Sequence, residues 1–388
     1  MDGRVVWILG AGFSRSLGGP LLGDLLRRDC LRTLRAAFPP DDFPELQGAL
    51  PDAVVWLYHY GRGFPEGRRS TRVWKEAAGE LLWQDAEEFL DIVDSAAASR
   101  KNVARSNIEG ILHQHRKDLF GNGSPLPDLA AVRGMARRLV AAECSAFLRG
   151  TELGLERWGP YQHWARYLVG ERDHVVTFNY DLVLEHLCTK TERMGVVLPN
   201  EPGSGQHNTR ILKLHGSVSW QRTAPGRFQA HGLEHFICCR CIPADLAIAT
   251  PGRTKAEHAK DFSELWTLAK NAIRDADAVV FLGYRFPPSD AEARSEILSA
   301  IARNEKRYLP VHTVLGPDVE SADSARLRGL LRHSLGVRKQ LSRYPIGYAD
   351  PSRDASEDLY DLEQQPLFVE DFLSVVERDA IFAPFKWR

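Results

Sequence analysis

The chain has 388 residues, of which 44% are hydrophobic and 26% charged, and its formal net charge is -1. That length holds one large domain or two ordinary ones, and the composition is that of a folded globular protein rather than a disordered one. A charge so near zero gives no global field to recruit nucleic acid, so no direct nucleic-acid binding is expected; no run of about 18 apolar residues offers a membrane span.

Val5-Val6-Trp7-Ile8-Leu9 is predicted as a first strand. It is too short for the core of a signal peptide and lacks a small-residue cleavage site. Six cysteines at irregular spacing make no disulfide framework, so a cytoplasmic location is expected. Residues 21–166 show helical periodicity with breaks at Phe38-Pro39-Pro40, 61–67 and 121–125, and they read as a large helical insertion. In its clearest segment Leu82, Ala86, Phe89, Leu90 and Val93 share one face.

Four short runs follow: Val175-Val176-Thr177-Phe178, Ile211-Leu212-Lys213-Leu214, Ala278-Val279-Val280-Phe281-Leu282 and Val311-His312-Thr313-Val314-Leu315. They are continuous rather than alternating, which suits strands covered on both faces of a parallel sheet. Between them, Phe236-Ile237-Cys238-Cys239 reads as a half-buried strand, and 262–276 reads as a helix striped by Leu265, Leu268, Ala269 and Ala272. Ser289 or Asp290 is the expected N-cap of a helix containing Ile297 and Leu298. The tail from 321 to 388 is predicted as two helical pieces separated by breaks at Tyr344-Pro345 and Asp350-Pro351. Its aromatic end, with Phe382, Phe385 and Trp387, is expected either to form a subunit contact, the favoured reading, or to pack back on its own domain. Strand–helix alternation of this kind predicts an α/β fold with a doubly wound, mostly parallel Rossmann-like sheet over 1–320, the 21–166 insertion following its first strand.

Candidate chemistry gathers at the strand ends, where ligands bind in open α/β sheets. Gly10-Ala11-Gly12-Phe13-Ser14 follows the first strand directly, and a glycine turn there offers backbone N–H groups to a pyrophosphate. The third glycine of the Gly-x-Gly-x-x-Gly fingerprint is replaced by Arg15, and no acidic residue closes a second strand about 20 residues on, which disfavours an ordinary dehydrogenase. Thr177-Phe178-Asn179-Tyr180-Asp181 ends the next strand; Asn179 or Asp181 is either a ligand contact or the cap of the helix that follows. Leu214-His215-Gly216-Ser217 sets a histidine suited to general base catalysis beside a glycine, and Leu282-Gly283-Tyr284 ends a later strand.

In combination and order, these motifs resemble the sirtuin fold family, and most closely the sirtuin-like NAD hydrolases of bacterial anti-phage defence. Asp85-Ala86-Glu87-Glu88-Phe89 and Leu214-His215-Gly216-Ser217-Val218-Ser219-Trp220 are typical of that branch. The resemblance covers residues 5–14 and 174–315, the insertion loosely, and the tail not at all. It implies that 1–320 is an NAD-binding domain, with NAD as substrate. Gly10, Ala11, Gly12, Phe13 and Ser14 would line the phosphates and a ribose, with Thr177, Asn179 and Asp181 around the nicotinamide ribose. His215 would be the catalytic histidine, and Gly283 with Tyr284 would approach the adenosine half. Asn179, His215 and Asp181 are thus the expected catalytic set.

Deacylating sirtuins carry a four-cysteine zinc module between the Leu-His-Gly strand and the later glycine strand. Here that stretch holds only Cys238-Cys239-Arg240-Cys241, with His231 and His235 as further candidate ligands, and zinc is not expected. Cys30, Cys144 and Cys188 read as core residues. Loss of the module, with Phe178-Asn179-Tyr180-Asp181 in the nicotinamide pocket, points to hydrolysis of NAD to ADP-ribose and nicotinamide, restrained until infection is sensed. A protein deacylase and a non-catalytic NAD or ADP-ribose sensor are the alternatives. In size the chain resembles the stand-alone subunit paired with a HerA-like ATPase, so a homo-oligomer with such a partner is expected.

Overall fold

The computed structural model describes residues 3–26, 30–47, 90, 129–201, 209–250, 260–287, 290–306, 308–341 and 362–382. Its spine is a sheet built from β1 (Val5–Leu9), β2 (His174–Thr177), β3 (Met194–Val196), β4 (Thr209–Lys213), β8 (Ala278–Leu282), β9 (Val311–Val314) and β10 (Leu362–Gln365). These seven strands lie in the order β10-β9-β8-β1-β2-β4-β3, and every neighbouring pair is parallel. The result is the α/β, Rossmann-like architecture that the apolar runs predict. A smaller antiparallel sheet, β6 (Arg227–Ala230), β5 (Gly216–Ala224) and β7 (Leu246–Ile248), leaves directly from the end of β4.

The continuous pattern of β1 has a simple cause. Its side chains alternate between two separate cores, with Val5, Trp7 and Leu9 in one and Val6 and Ile8 in the other. A strand with helices on both faces has no solvent side to spend polar residues on. On one face Trp7 packs edge-on against Trp164 with ring centroids 5.7 Å apart. On the other face lies the helix Ser263–Asp275, which buries Leu265, Ala269, Ala272 and Ile273, close to the predicted stripe. Because β1 has β2 on one side and β8 on the other, its carboxyl end is the point where the winding reverses and a crevice opens.

The described part of the insertion holds the helices Cys30–Ala37, Pro44–Gln47, Leu129–Ala146 and Gly159–His163, with turns and 3-10 segments at 38–43 and 147–158. Of its predicted apolar face only Leu90 is described, and it is buried; Leu82, Ala86, Phe89 and Val93 lie outside the described residues, as does Asp85-Ala86-Glu87-Glu88-Phe89.

Two elements differ from expectation. Phe236-Ile237-Cys238-Cys239 is not a strand: Phe236 takes a left-handed backbone (φ +47°) and Ile237–Arg240 is a short helix. Short apolar runs fit a buried helix as well as a strand, and here the run packs its cysteines inward, Cys238 Sγ lying 3.2 Å from Ser145 Oγ. The tail, in turn, is not helical throughout. Leu362–Gln365 pairs parallel with β9 as the edge strand of the main sheet, and the short helix Val369–Val375 follows.

The aromatic end folds back rather than facing outward, as far as it is described. Phe382 lies over Gly3, Ile381 is fully buried, and Arg378 reaches the base of the sheet. There the Arg378 guanidinium makes a bidentate contact with Asp173 at 2.7 and 2.9 Å. Asp173 is wholly buried and also accepts from the Val5 and Gly170 amides and the Trp7 indole. Phe385 and Trp387 are outside the described residues.

Candidate functional site

After β1 the chain turns back against the end of β8 instead of entering a long helix. Ala11–Phe13 and Arg15–Leu17 are 3-10 turns, and the first α-helix described beyond them is Cys30–Ala37. The Gly10 amide donates to Leu282 O (3.0 Å) and the Gly12 amide to Gly283 O (3.1 Å). Glycine is required on both sides of this crossing. Gly283 has φ +65°, and a Cβ there would stand 2.5 Å from Gly12 Cα and the Phe13 nitrogen, which as backbone cannot move aside. Gly283→Ala is therefore expected to lose about 1–3 kcal/mol from the left-handed backbone alone, with displacement of the Gly10–Gly12 turn on top. A urea unfolding curve equal to that of the wild type would refute this packing.

The end of β2 supplies the next group. The Asn179 side-chain amide donates to Gly10 O at 2.9 Å, which fixes Nδ2 toward the glycine turn and leaves Oδ1 as the outward acceptor. Its backbone amide donates to Thr177 Oγ1 at 3.1 Å. Two residues on, Asp181 is buried and accepts from Ser14 Oγ (2.8 Å) and from the Val183 amide (3.1 Å). The second contact is the helix-start role that the sequence left open for this residue.

Burial raises the Asp181 pKa, and the Lys213 charge with the two hydrogen bonds only partly offsets it. The sign follows from linkage. An acid whose pKa is raised by folding costs the folded state stability as pH climbs from its ordinary value, roughly 3.9, to its native one. Asp181→Asn removes that cost, so its stability relative to the wild type is expected to grow with pH across this window and then level off. A difference that stays flat when unfolding is measured from acid to neutral pH counts against this.

Beneath this loop lies a residue outside the sequence motifs. Lys213 is 1% exposed inside β4. Its ammonium donates to the Tyr180 and Asp181 carbonyls and pairs with Glu185 at 2.7 Å, while Ser217 Oγ bonds the same carboxylate at 2.7 Å. A buried charge is tolerated only when paired and hydrogen-bonded. Here that requirement ties β4 to the loop that carries Asn179 and Asp181.

At the end of β4, His215 is 3% exposed and surrounded by rings: Phe178 at 5.0 Å, Tyr180 at 6.3 Å and Trp266 at 6.4 Å between centroids. Gly216 follows with φ +80°, and a Cβ there would lie 1.9 Å from Ala247 O, so only glycine lets β7 pass this close. Phe178 in turn stacks on Tyr284 at 4.2 Å, with 8° between the planes. Tyr284 is buried, and its hydroxyl donates to Asp290 Oδ2 at 3.0 Å. Of the two expected caps, Asp290 stands at the N-cap of Ala291–Ala302 but uses its carboxylate for this bond and makes no side-chain capping bond, and Ser289 lies outside the described residues.

These strand ends enclose one cleft of about 640 Å³, within the roughly 300–1,000 Å³ usual for ligand sites. Gly10, Ala11, Gly12, Asn179, Asp181 and His215 line it, as do Gly283 and Tyr284. Three expected contacts stand behind the wall instead. Phe13 packs edge-on to Tyr161 at 5.1 Å, Ser14 holds Asp181, and the buried Thr177 hydroxyl receives the Asn179 amide. Residues not anticipated also line the cleft, among them Arg15, Arg285, Phe368 and Glu370. Arg15 stands where the fingerprint would have its third glycine, and it pairs with Asp24 at 2.5 Å.

Away from the cleft, Cys238, Cys239 and Cys241 are buried in the core, and the His231 and His235 rings stack on each other at 5.1 Å. No group of three or more His, Cys, Asp or Glu side chains able to hold a metal occurs among the described residues. No helix among them is long and apolar enough to cross a membrane.

A search of curated proteins gives no match. Residues 173–337 match the family model described as SIR2-like domain, a stretch that begins at Asp173 and contains Asn179, His215 and Gly283. Taken with the parallel sheet and the cleft at its strand ends, that match supports a sirtuin-like family for this chain.

Proposed function

We propose that the protein is an NAD glycohydrolase, converting NAD and water to ADP-ribose and nicotinamide. SIR2-like family members are NAD-dependent enzymes, and one observation carries the finer reading. Asn179 from the end of β2 and His215 from the end of β4 line the same cleft as the Gly10–Gly12 turn, although they are remote in sequence.

In the reaction the C–N bond between ribose and nicotinamide breaks, its electron pair leaving with the neutral base, and water forms a new C–O bond at the same carbon. Asn179 Oδ1, held outward by the bond from Nδ2 to Gly10 O, positions the water. His215 takes the proton that the water or a ribose hydroxyl gives up. Asp181 and Lys213 keep the 179–181 loop in place from below.

The setting we propose is NAD depletion in anti-phage defence, by a homo-oligomer working with a HerA-like ATPase; motif and size resemblance support it. The test is to incubate purified protein with NAD and follow nicotinamide by chromatography. Release of nicotinamide without an acylated peptide supports hydrolysis. Release only when an acyl-lysine peptide is added would favour a deacylase, and tight NAD binding with no release would favour a sensor.

A further inference from the structure

Beyond Gly283 and Tyr284, which the resemblance sets beside the adenosine half, the tail also contributes to the cleft lining. The sheet order gives the cleft a direction. β2 and β4, with Asn179 and His215 at their ends, lie to one side of β1, whereas β8, β9 and β10 lie to the other. Neighbouring strands are about 4.8 Å apart, so the ends of β4 and β9, four steps apart in the order, are separated by roughly 19 Å. That span suits an extended dinucleotide. With the nicotinamide ribose over Asn179 and His215, the adenosine half runs toward the ends of β9 and β10.

Two side chains from the segment after β10 line the cleft there. Phe368 is a large apolar residue left 54% exposed, and its ring lies 3.7 Å from the Cβ position of Gly316, which follows β9 and puts no side chain in the way. Glu370 also lines the cleft, on the helix Val369–Val375 that packs beside the Ala11–Phe13 turn. Its backbone carbonyl takes the Ser374 hydroxyl, but its carboxylate has no hydrogen bond or ion pair among the described residues. The other charged groups of the cleft are engaged: Arg15 with Asp24, Arg285 with Asp323, Asp181 with Ser14 and Asp290 with Tyr284. An apolar ring beside a carboxylate with no protein partner matches the two faces of a nucleoside, a flat purine and a pair of ribose hydroxyls.

We infer that Phe368 and Glu370 form the adenosine subsite, Phe368 stacking on the purine and Glu370 accepting from the ribose hydroxyls. Glu370 thereby supplies, from the opposite end of the chain, the acidic group that the stretch after the glycine turn lacks. The inference rests on the proposed orientation of NAD over Asn179 and His215.

Phe368→Ala, Phe368→Tyr and Glu370→Gln test it. For each, nicotinamide release is measured with NAD and with nicotinamide mononucleotide, which lacks the adenosine half, and ADP-ribose binding is measured by calorimetry. Phe368→Ala is expected to raise KM for NAD about tenfold or more, the scale of one lost base–aromatic stack. The loss falls on KM more than on kcat, mononucleotide turnover is spared, and ADP-ribose binding weakens in parallel. Glu370→Gln follows the same pattern, and Phe368→Tyr retains binding. ADP-ribose affinity unchanged in Phe368→Ala, or equal losses on both substrates, overturns the inference. A wild type that binds ADP-ribose through these residues yet releases no nicotinamide would remove the hydrolase reading instead.

Discussion

Replacing His215 by alanine is expected to lower nicotinamide release by about 10²–10⁴-fold, the usual worth of a positioned general base. The imidazole sits among Phe178, Tyr180 and Trp266 and is 3% exposed, so bulk solvent has little access to replace it as the base. NAD should still bind, because the glycine turn and the far wall of the cleft are untouched. Asn179→Ala is expected to act as strongly by another route. It removes the water-positioning oxygen and the bond from Nδ2 that keeps the loop against Gly10. Single-turnover release with saturating NAD separates these effects from binding. Either variant running at the wild-type rate would mean that the chemistry lies elsewhere in the cleft.

The largest effect on stability is expected at Asp173, far from the cleft. This carboxylate is 0% exposed and gathers the Val5 and Gly170 amides, the Trp7 indole and both Arg378 nitrogens. Removing one partner of a buried, hydrogen-bonded pair leaves the other without compensation, at about 3–5 kcal/mol. Asp173→Ala should cost that much in urea unfolding, and Arg378→Ala nearly as much, since the carboxylate then stays buried without its cation. The double variant should cost much less than the sum. Strict additivity, or single losses below about 1 kcal/mol, would reduce the contact to an ordinary surface pair.

The sheet was legible because a strand covered on both faces has no alternating solvent side: β1 and β8 are unbroken apolar runs, and β2, β4 and β9 keep apolar stretches broken only by buried or end residues such as Thr177, Lys213, His312 and Thr313. β10 was not, because Leu362-Glu363-Gln364-Gln365 is an edge strand whose four residues are all half-buried, and backbone pairing with β9 leaves no apolar signature. The Cys238–Cys239 segment misled for the opposite reason, being apolar enough for strand or helix. Within the cleft, Asn179, His215 and the glycines were found from their place at strand ends. Ser14 and Thr177 stand at the same ends but are turned inward, which depends on rotamers and neighbours rather than on motif. Lys213 carried a visible signal, a charge inside an apolar strand run, whose meaning depends on Glu185 and the carbonyls it meets.

The pairing of β10 with β9 and of Arg378 with Asp173 joins segments 205 residues apart in the second case. During synthesis, the carboxylate at 173 leaves the ribosome long before its counter-charge exists, and the sheet lacks its outer strand until then. Nascent and prematurely terminated chains therefore hold a cleft without Phe368 and Glu370, over a base that lacks the Asp173–Arg378 pair. Under the proposed function, NAD hydrolysis would wait until translation has delivered the residues that finish the fold.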